Sequence, residues 1–309
     1  MTHAITPAPK RTRAKSRNSG RRSDLDSIRN WVENSPYTRA LGVQLDAVAT
    51  SADETTARIS LPFREENSNP GRALHGGCAA SLAALGGQCV ARAAMGEASG
   101  PWHTASVQVN YLAAAIGEDV TAQARLLRRG KDMCFVETEV ATAGGKAIAH
   151  ATALVRARMG GEPAQRYRVT GDDGGTDPGP MGPHVSKTPY MGRRQMQIEH
   201  MADSHSRIIL PLVEANADLE EGIHEGAVLA LLDTAGAMAS WAETGPGAFK
   251  ASTPSLQAQI LCPSPKQDLV AYGRVVQRDD AIFWADAVVA GARDGLAVAR
   301  GTVIYRIVT

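Results

Sequence analysis

LHGGCAASLAALGG (74–87) and IHEGAVLALLDTAG (223–236) are one segment written twice. The offset is 149 residues, and it holds without a gap on both sides. Upstream, ARISLPFREEN (57–67) lies over SRIILPLVEAN (206–216). Downstream, TASVQVNYLAAA (104–115) lies over TPSLQAQILCPS (253–264), and DVTAQARLLRR (119–129) over DLVAYGRVVQR (268–278). One extra residue near 293 moves the offset to 150, and GKAIAHATALVR (145–156) then lies over GLAVARGTVIYR (295–306). Unrelated domains do not hold register over such a length, so the chain is a tandem duplication.

Both copies follow one plan. Alternating apolar residues in TARISLPF and SRIILPL predict a strand. A glycine-containing loop and a histidine follow, then an Ala-rich apolar helix over Gly76–Met95 or Glu225–Glu243. Three further strands and a closing strand, AIAHATALVRA or AVARGTVIYRI, complete each copy. One helix among antiparallel strands is an α+β layering. The helices are apolar on most faces, which predicts a sheet curled round them. The expected division is a disordered basic tail at 1–22, a first domain at 23–159, a linker at 160–189 and a second domain at 190–309. The linker reading rests on the Gly, Pro and Asp content of GDDGGTDPGPMGP. The tail reading rests on seven basic residues and no acid between Lys10 and Arg22, a pattern shared by nucleic-acid arms and transit peptides.

Composition narrows the function classes. The chain has 309 residues, 43% of them hydrophobic and 21% charged, with net charge +1. That balance gives no global attraction to nucleic acid or membrane. The four cysteines form no CxxC pair and the eight histidines no HExxH, so no metal site, cofactor or disulfide framework is expected. The expected setting is a reducing cytoplasm. No apolar run is read as a membrane span.

NPGRALHGG (69–77), an apolar helix, then SVQVNYL resembles the hotdog-fold thioesterases of the phenylacetic-acid-degradation and 4-hydroxybenzoyl-CoA type. The resemblance covers about 36–157 and, more weakly, 190–308. It implies two tandem hotdog domains, each an antiparallel sheet wrapped round a long central helix. It also implies acyl-CoA substrates, hydrolysed to free acid and CoA at sites between paired units. A homodimer of such double units is the expected assembly.

Thioester hydrolysis needs donors for a developing oxyanion and a carboxylate that activates water or attacks directly. Gly76 and Gly77 at a helix start offer close backbone approach and free N–H groups. The resemblance makes the Gly76 N–H and Asn69 the carbonyl-polarising pair, with His75 shaping the turn and Gly77 against the substrate. Asp233 is the only ionisable residue in GAVLALLDTAGAMASWA (226–242), and an apolar helix carries such a group only at a cost. The resemblance assigns the acid role to the ninth residue after the motif histidine, and Asp233 stands nine after His224. Nine helical residues make two and a half turns, so Asp233 faces away from His224 and toward the other copy's His75–Gly76 turn. Copy one carries Ala84 at the matching place. Copy two's turn is altered too, with Glu225 for Gly76 and Asp218 for Asn69. One intact site and one degenerate site are expected, although Glu225 could be a carboxylate recruited elsewhere.

Ser252 and Thr253 stand where the resemblance implies a water-orienting hydroxyl, and ordinary strand residues explain them equally. Gln88 is either a channel residue or a satisfied buried amide. Arg125, Arg128, Arg129 and Lys131 are either CoA-phosphate cations or exposed hairpin charge. The alternative function is a non-catalytic acyl-CoA sensor, which would lock Asp233 in an ion pair. A hotdog dehydratase is disfavoured because neither helix has a histidine in its body.

Overall fold

The computed structural model describes residues 13–51, 53–159, 165–169, 175–219 and 222–308. Copy one runs α1 (Arg13–Asn34), α2 (Pro36–Leu41), β1 (Gln44–Thr50), β2 (Thr55–Leu61), α3 (Gly76–Met95), β3 (Trp102–Tyr111), β4 (Val120–Arg129), β5 (Met133–Thr142) and β6 (Ala147–Ala157). Copy two repeats it with α4 (Gly182–Val185), α5 (Pro189–Arg194), β7 (Gln197–Ala202), β8 (His205–Leu210), α6 (Glu225–Thr244), β9 (Lys250–Ile260), β10 (Leu269–Asp279), β11 (Ile282–Gly291) and β12 (Ala297–Val308).

All twelve strands form one antiparallel sheet, ordered β1-β2-β4-β5-β6-β3-β9-β12-β11-β10-β8-β7. The two halves have the same strand order and meet edge to edge, with Val107 opposite Ala258 and Asn110 opposite Ser255. Joining at β3 and β9 covers one edge of each half with the other copy, which removes two unpaired edges. The alternation in β2 and β8 turns Ala57, Ile59 and Leu61, and Ile208 and Leu210, into the core.

Helices α3 and α6 lie side by side under this sheet. They are buried nearly all round, which explains why so few of their residues are polar. Their crossing is reciprocal. A Cβ on Gly77 of α3 would overlap the Ala230 methyl of α6, and a Cβ on Gly226 of α6 would overlap Ser81 of α3. Glycine at each helix start therefore lets the start of one helix touch the body of the other. Leu82 and Leu229 are fully buried at this centre, where truncation to alanine costs about 2–5 kcal/mol.

Four expectations change. Each copy has a sixth strand, β1 or β7, at the sheet's edge; the exposure of β1 leaves little apolar alternation to read. The basic tail expected to be unstructured to residue 22 is helical from Arg13, while residues 1–12 lie outside the described residues. The linker is partly built: α4 lies within it, α5 begins at its end, and Val169 N–H donates to the Gly295 carbonyl. Finally, α3 is long and apolar enough by length and composition to cross a membrane, yet it is the caged core helix of copy one.

Candidate active site

The turn at the start of α3 is organised by its histidine. His75 caps the helix, with Nδ1 accepting from the Gly77 N–H at 3.0 Å. That bond requires a neutral ring with its proton on Nε2. Burial, aided by the nearby Arg194 guanidinium, pushes His75 down to about 3, so the ring stays neutral across the physiological range. Tyr190 from α5 stacks on the imidazole at 4.0 Å. The Gly77 N–H goes to His75 Nδ1 and the Cys78 N–H to the His75 carbonyl. Among the described residues no hydrogen bond is recorded for the Gly76 N–H.

Asp233 meets this turn from the other copy. A Cβ on Gly76 would lie 2.8 Å from Asp233 Oδ2. The carboxylate thus occupies ground that any side chain at position 76 would need. Asp233 is 5% exposed, and burial pushes it up to about 6 against the opposing hydrogen bond from Thr253. Thr253 Oγ1 donates to Asp233 Oδ1 at 2.8 Å, which leaves Oδ2 toward Gly76.

Tyr111 and Tyr305 lie within electrostatic reach of the acid, and their strands carry no mark of it. Tyr111, at the end of β3, donates through its hydroxyl to the Gly76 carbonyl at 3.3 Å. Its ring lies 3.5 Å from a Cβ at Gly76, and burial with the Asp233 charge raises its pKa well above the phenol range. Tyr305 accepts from Trp241 Nε1 at 3.0 Å, and its pKa is raised by burial and, in part, by Asp233. Phe249 stacks on Trp241. The matching copy-one positions hold Val155, Arg92 and Gly100, so only alignment of the copies could have singled these residues out.

Other expected site residues lie elsewhere. Asn69 is half-buried in the loop before the turn, where its N–H donates to Ala73 and its carbonyl accepts from Arg72. Gly77 is committed to the helix crossing. Ser252 is exposed on β9 opposite Arg306, one residue from Thr253 but away from the acid. Gln88 sits at the second site: it donates to Glu225 Oε2 at 2.8 Å and accepts from Arg92 at 3.1 Å. Arg125 of the cationic hairpin is paired with Glu137.

The second turn keeps the frame of the first with different chemistry. His224 accepts through Nδ1 from the Gly226 N–H at 3.0 Å, and Tyr37 of α2 stacks on its ring. Glu225 reaches into copy one, where its carboxylate also accepts from the Thr104 N–H at 3.0 Å. Burial raises its pKa, opposed by these donors. Asp218 accepts from Trp31 Nε1 at 3.2 Å and Ser35 Oγ at 2.7 Å. Between the two turns lies Arg194, fully buried, its guanidinium stacked on Tyr37 at 4.6 Å and Tyr190 at 5.3 Å.

These features define a hotdog-fold chain of two copies whose turns each meet a carboxylate, Asp233 of the other copy at the first and the turn's own Glu225 at the second. Residues 63–156 match the family model described as the acyl-CoA thioesterase N-terminal domain, a match that spans most of copy one. No curated protein sequence matches the chain. Among solved structures, a hot dog-fold protein of Alicyclobacillus acidocaldarius is 15% identical, with TM-score 0.58, covering 85% of this chain and 96% of that one. The TesB protein of Mycobacterium avium subspecies paratuberculosis is 11% identical, with TM-score 0.56 and coverage of 92% and 100%. Acyl-CoA thioesterase II of Mycobacterium marinum is 9% identical, with TM-score 0.55 and coverage of 85% and 94%. These likenesses establish the hotdog fold over both copies, and the domain match supports thioester hydrolysis as the general chemistry.

Proposed function

We propose that this chain hydrolyses acyl-CoA thioesters to free acid and CoA at a single composite site made by both copies. The observation that carries the reading is the approach of Asp233 from α6 to Gly76 at the start of α3, 2.8 Å from where a Cβ would stand. In this reading the substrate carbonyl oxygen is held by the Gly76 N–H. The N-terminal end of α3 favours negative charge there. Asp233 takes a proton from water as the oxygen attacks the carbonyl carbon, or attacks the carbon itself. The tetrahedral oxyanion collapses, the C–S bond breaks and the CoA thiolate leaves to be protonated. Where Asp233 has attacked the carbon, the product is a mixed anhydride, and one water then hydrolyses it to the free acid and restores the carboxylate. Thr253 holds one carboxylate oxygen so that the other faces the substrate. One oxyanion donor of this kind contributes roughly 3 kcal/mol of transition-state stabilisation.

A sensor would need Asp233 tied up in an ion pair. Its recorded hydrogen bond is instead to a neutral hydroxyl, which leaves the carboxylate available for chemistry. The test is thiol release from short, long and aromatic acyl-CoAs by the purified protein. Turnover that disappears in folded Asp233→Ala supports the reading. Full activity in that variant, or no release from any acyl-CoA, defeats it.

A further inference from the structure

The second turn is not simply an eroded copy of the first. We propose that it is a latent acyl-CoA-binding site held shut by two side chains of the same chain, Glu225 and Trp31. This inference rests on reading the first turn as a thioester site.

The two halves are related so that Gly76, Asp233 and Thr253 at the first turn correspond to Glu225, Ala84 and Thr104 at the second. At the first turn, glycine leaves the ground between helix start and acid open to the backbone. At the second, the acid is missing from the helix body, and the carboxylate comes from the turn itself. Glu225 spans the gap to β3 and α3, where the Thr104 N–H and the Gln88 amide both donate to it. The β-bulge between Thr104 and Ser106 interrupts the ladder beside that N–H. The Glu225 carboxylate therefore lies against the counterpart of Thr253, the place that Asp233 fills at the first turn, and it crosses to it over the ground that Gly76 leaves bare there. It is a built-in occupant, satisfied by two donors.

Trp31 closes the mouth. It is 6% exposed, and its indole Nε1 donates to Asp218, the counterpart of Asn69. Arg92 stacks on its face at 4.0 Å, donates to Gln88 and pairs with Glu97. What remains is a cavity of about 70 Å3 lined by Trp31, Gln88, Arg92, Trp102, His224 and Glu225 among others. Such a space holds water but no thioester arm. At the first turn the matching segment is the short helix α4. By the offset that superposes PY at 36–37 on PY at 189–190, its residue in Trp31's place is His184, which is exposed. The first turn therefore has no indole cover from the N-terminal segment of copy two, which lies against it.

Glu225→Gly recreates the His-Gly-Gly of copy one, and Trp31→Ala removes the cover. Calorimetric titration with S-hexyl-coenzyme A, a thioether that cannot be hydrolysed, reads the number of sites. The wild-type chain is expected to bind one molecule and the folded W31A/E225G chain two. E225Q, which keeps the occupant's length and an acceptor oxygen, stays at one. A wild-type stoichiometry of two overturns the inference whatever the variants do. So does a stoichiometry of one in the double variant with a native circular-dichroism spectrum. No binding by wild type is a different failure, since it removes the thioester reading of the first turn as well.

Discussion

The two turns share a frame and differ in where the negative charge sits. Each is capped by a histidine whose Nδ1 accepts from the N–H two residues on, and each histidine is stacked on a tyrosine from the short helix of the opposite copy. At the first turn the carboxylate belongs to the partner helix, and its free oxygen faces bare backbone. At the second the carboxylate belongs to the turn and is consumed by two donors from the partner copy. The same scaffold therefore gives a base with an unused oxygen in one place and a saturated plug in the other. Duplication made this possible, because a homodimer cannot change one turn without changing both.

The largest effect expected of any single substitution is at the unsaturated acid. Asp233→Asn should lower turnover roughly 10²–10⁴-fold, the range of a positioned acid–base group. It should also stabilise the fold at neutral pH. The folded value of about 6 lies above the ordinary 3.8, so the folded chain holds a proton that the unfolded chain releases between those values. Stability then falls as pH rises through that window, and the cost, roughly 3 kcal/mol, is complete above about pH 6. Melting temperatures of the two proteins should separate at pH 8 and converge near pH 4. Equal melting at pH 8 would mean that Asp233 is not desolvated as described.

Next comes the bare backbone opposite that acid. Gly76→Ala puts a methyl 2.8 Å from Asp233 Oδ2, so the carboxylate must move. A displacement of that kind at the reacting atoms should cost about 10²-fold in kcat. The matching position of copy two already carries glutamate, and the fold tolerates it. A loss of kcat with unchanged melting temperature would separate site geometry from stability, and an unchanged kcat would place the reacting carbonyl elsewhere.

The comparison was legible in the sequence only where the copies could be set against each other. The duplication, the helix bounds near Gly76 and Glu225, and the lone Asp233 all followed from repeated spacing and from one charge in an apolar run. Tyr111 and Tyr305 did not, because a tyrosine in an alternating strand carries no mark of what it will face. Their meeting with Gly76 and Trp241 depends on how the strands pass the helices. Arg194 was invisible for the opposite reason. Arginine reads as surface charge, and its complete burial rests on two tyrosine faces supplied by α2 and α5. Gln88 is the buried, hydrogen-bonded amide that was one of its two readings, but its partner Glu225 comes from the other copy 137 residues away, which spacing within one copy cannot show. The edge strands β1 and β7 were missed because a register shift in each, between Leu45 and Ala47 and between Ile198 and His200, breaks the two-residue period.

A smaller effect is expected in pH dependence. If Asp233 must be ionised, kcat/KM should fall below about pH 6 with a slope of one. Thr253→Ala removes the hydrogen bond that holds the acid down, so the fall should begin at higher pH and activity at pH 6 should drop by about tenfold or less. Thr104→Ala, its mirror in copy one, lies against Glu225 and should leave the acid limb in place. A limb that moves with Thr104 and not with Thr253 would assign the titrating base to the second turn.

The smallest difference concerns the walls beyond the acid. Where copy one has Arg92 and Val155, copy two has Trp241 hydrogen-bonded to Tyr305, with Phe249 stacked on the indole. Tyr305→Phe keeps the ring but leaves the indole N–H without its acceptor, a loss of about 1 kcal/mol for a half-buried donor. Denaturant titration should show that shift without a change in slope. Because the pair is fastened to α6 two turns beyond Asp233, loosening it should alter KM among acyl-CoAs of different chain shape more than kcat for any one of them. If KM is the same for every chain while stability falls as expected, the aromatic wall braces α6 and takes no part in choosing the acyl group.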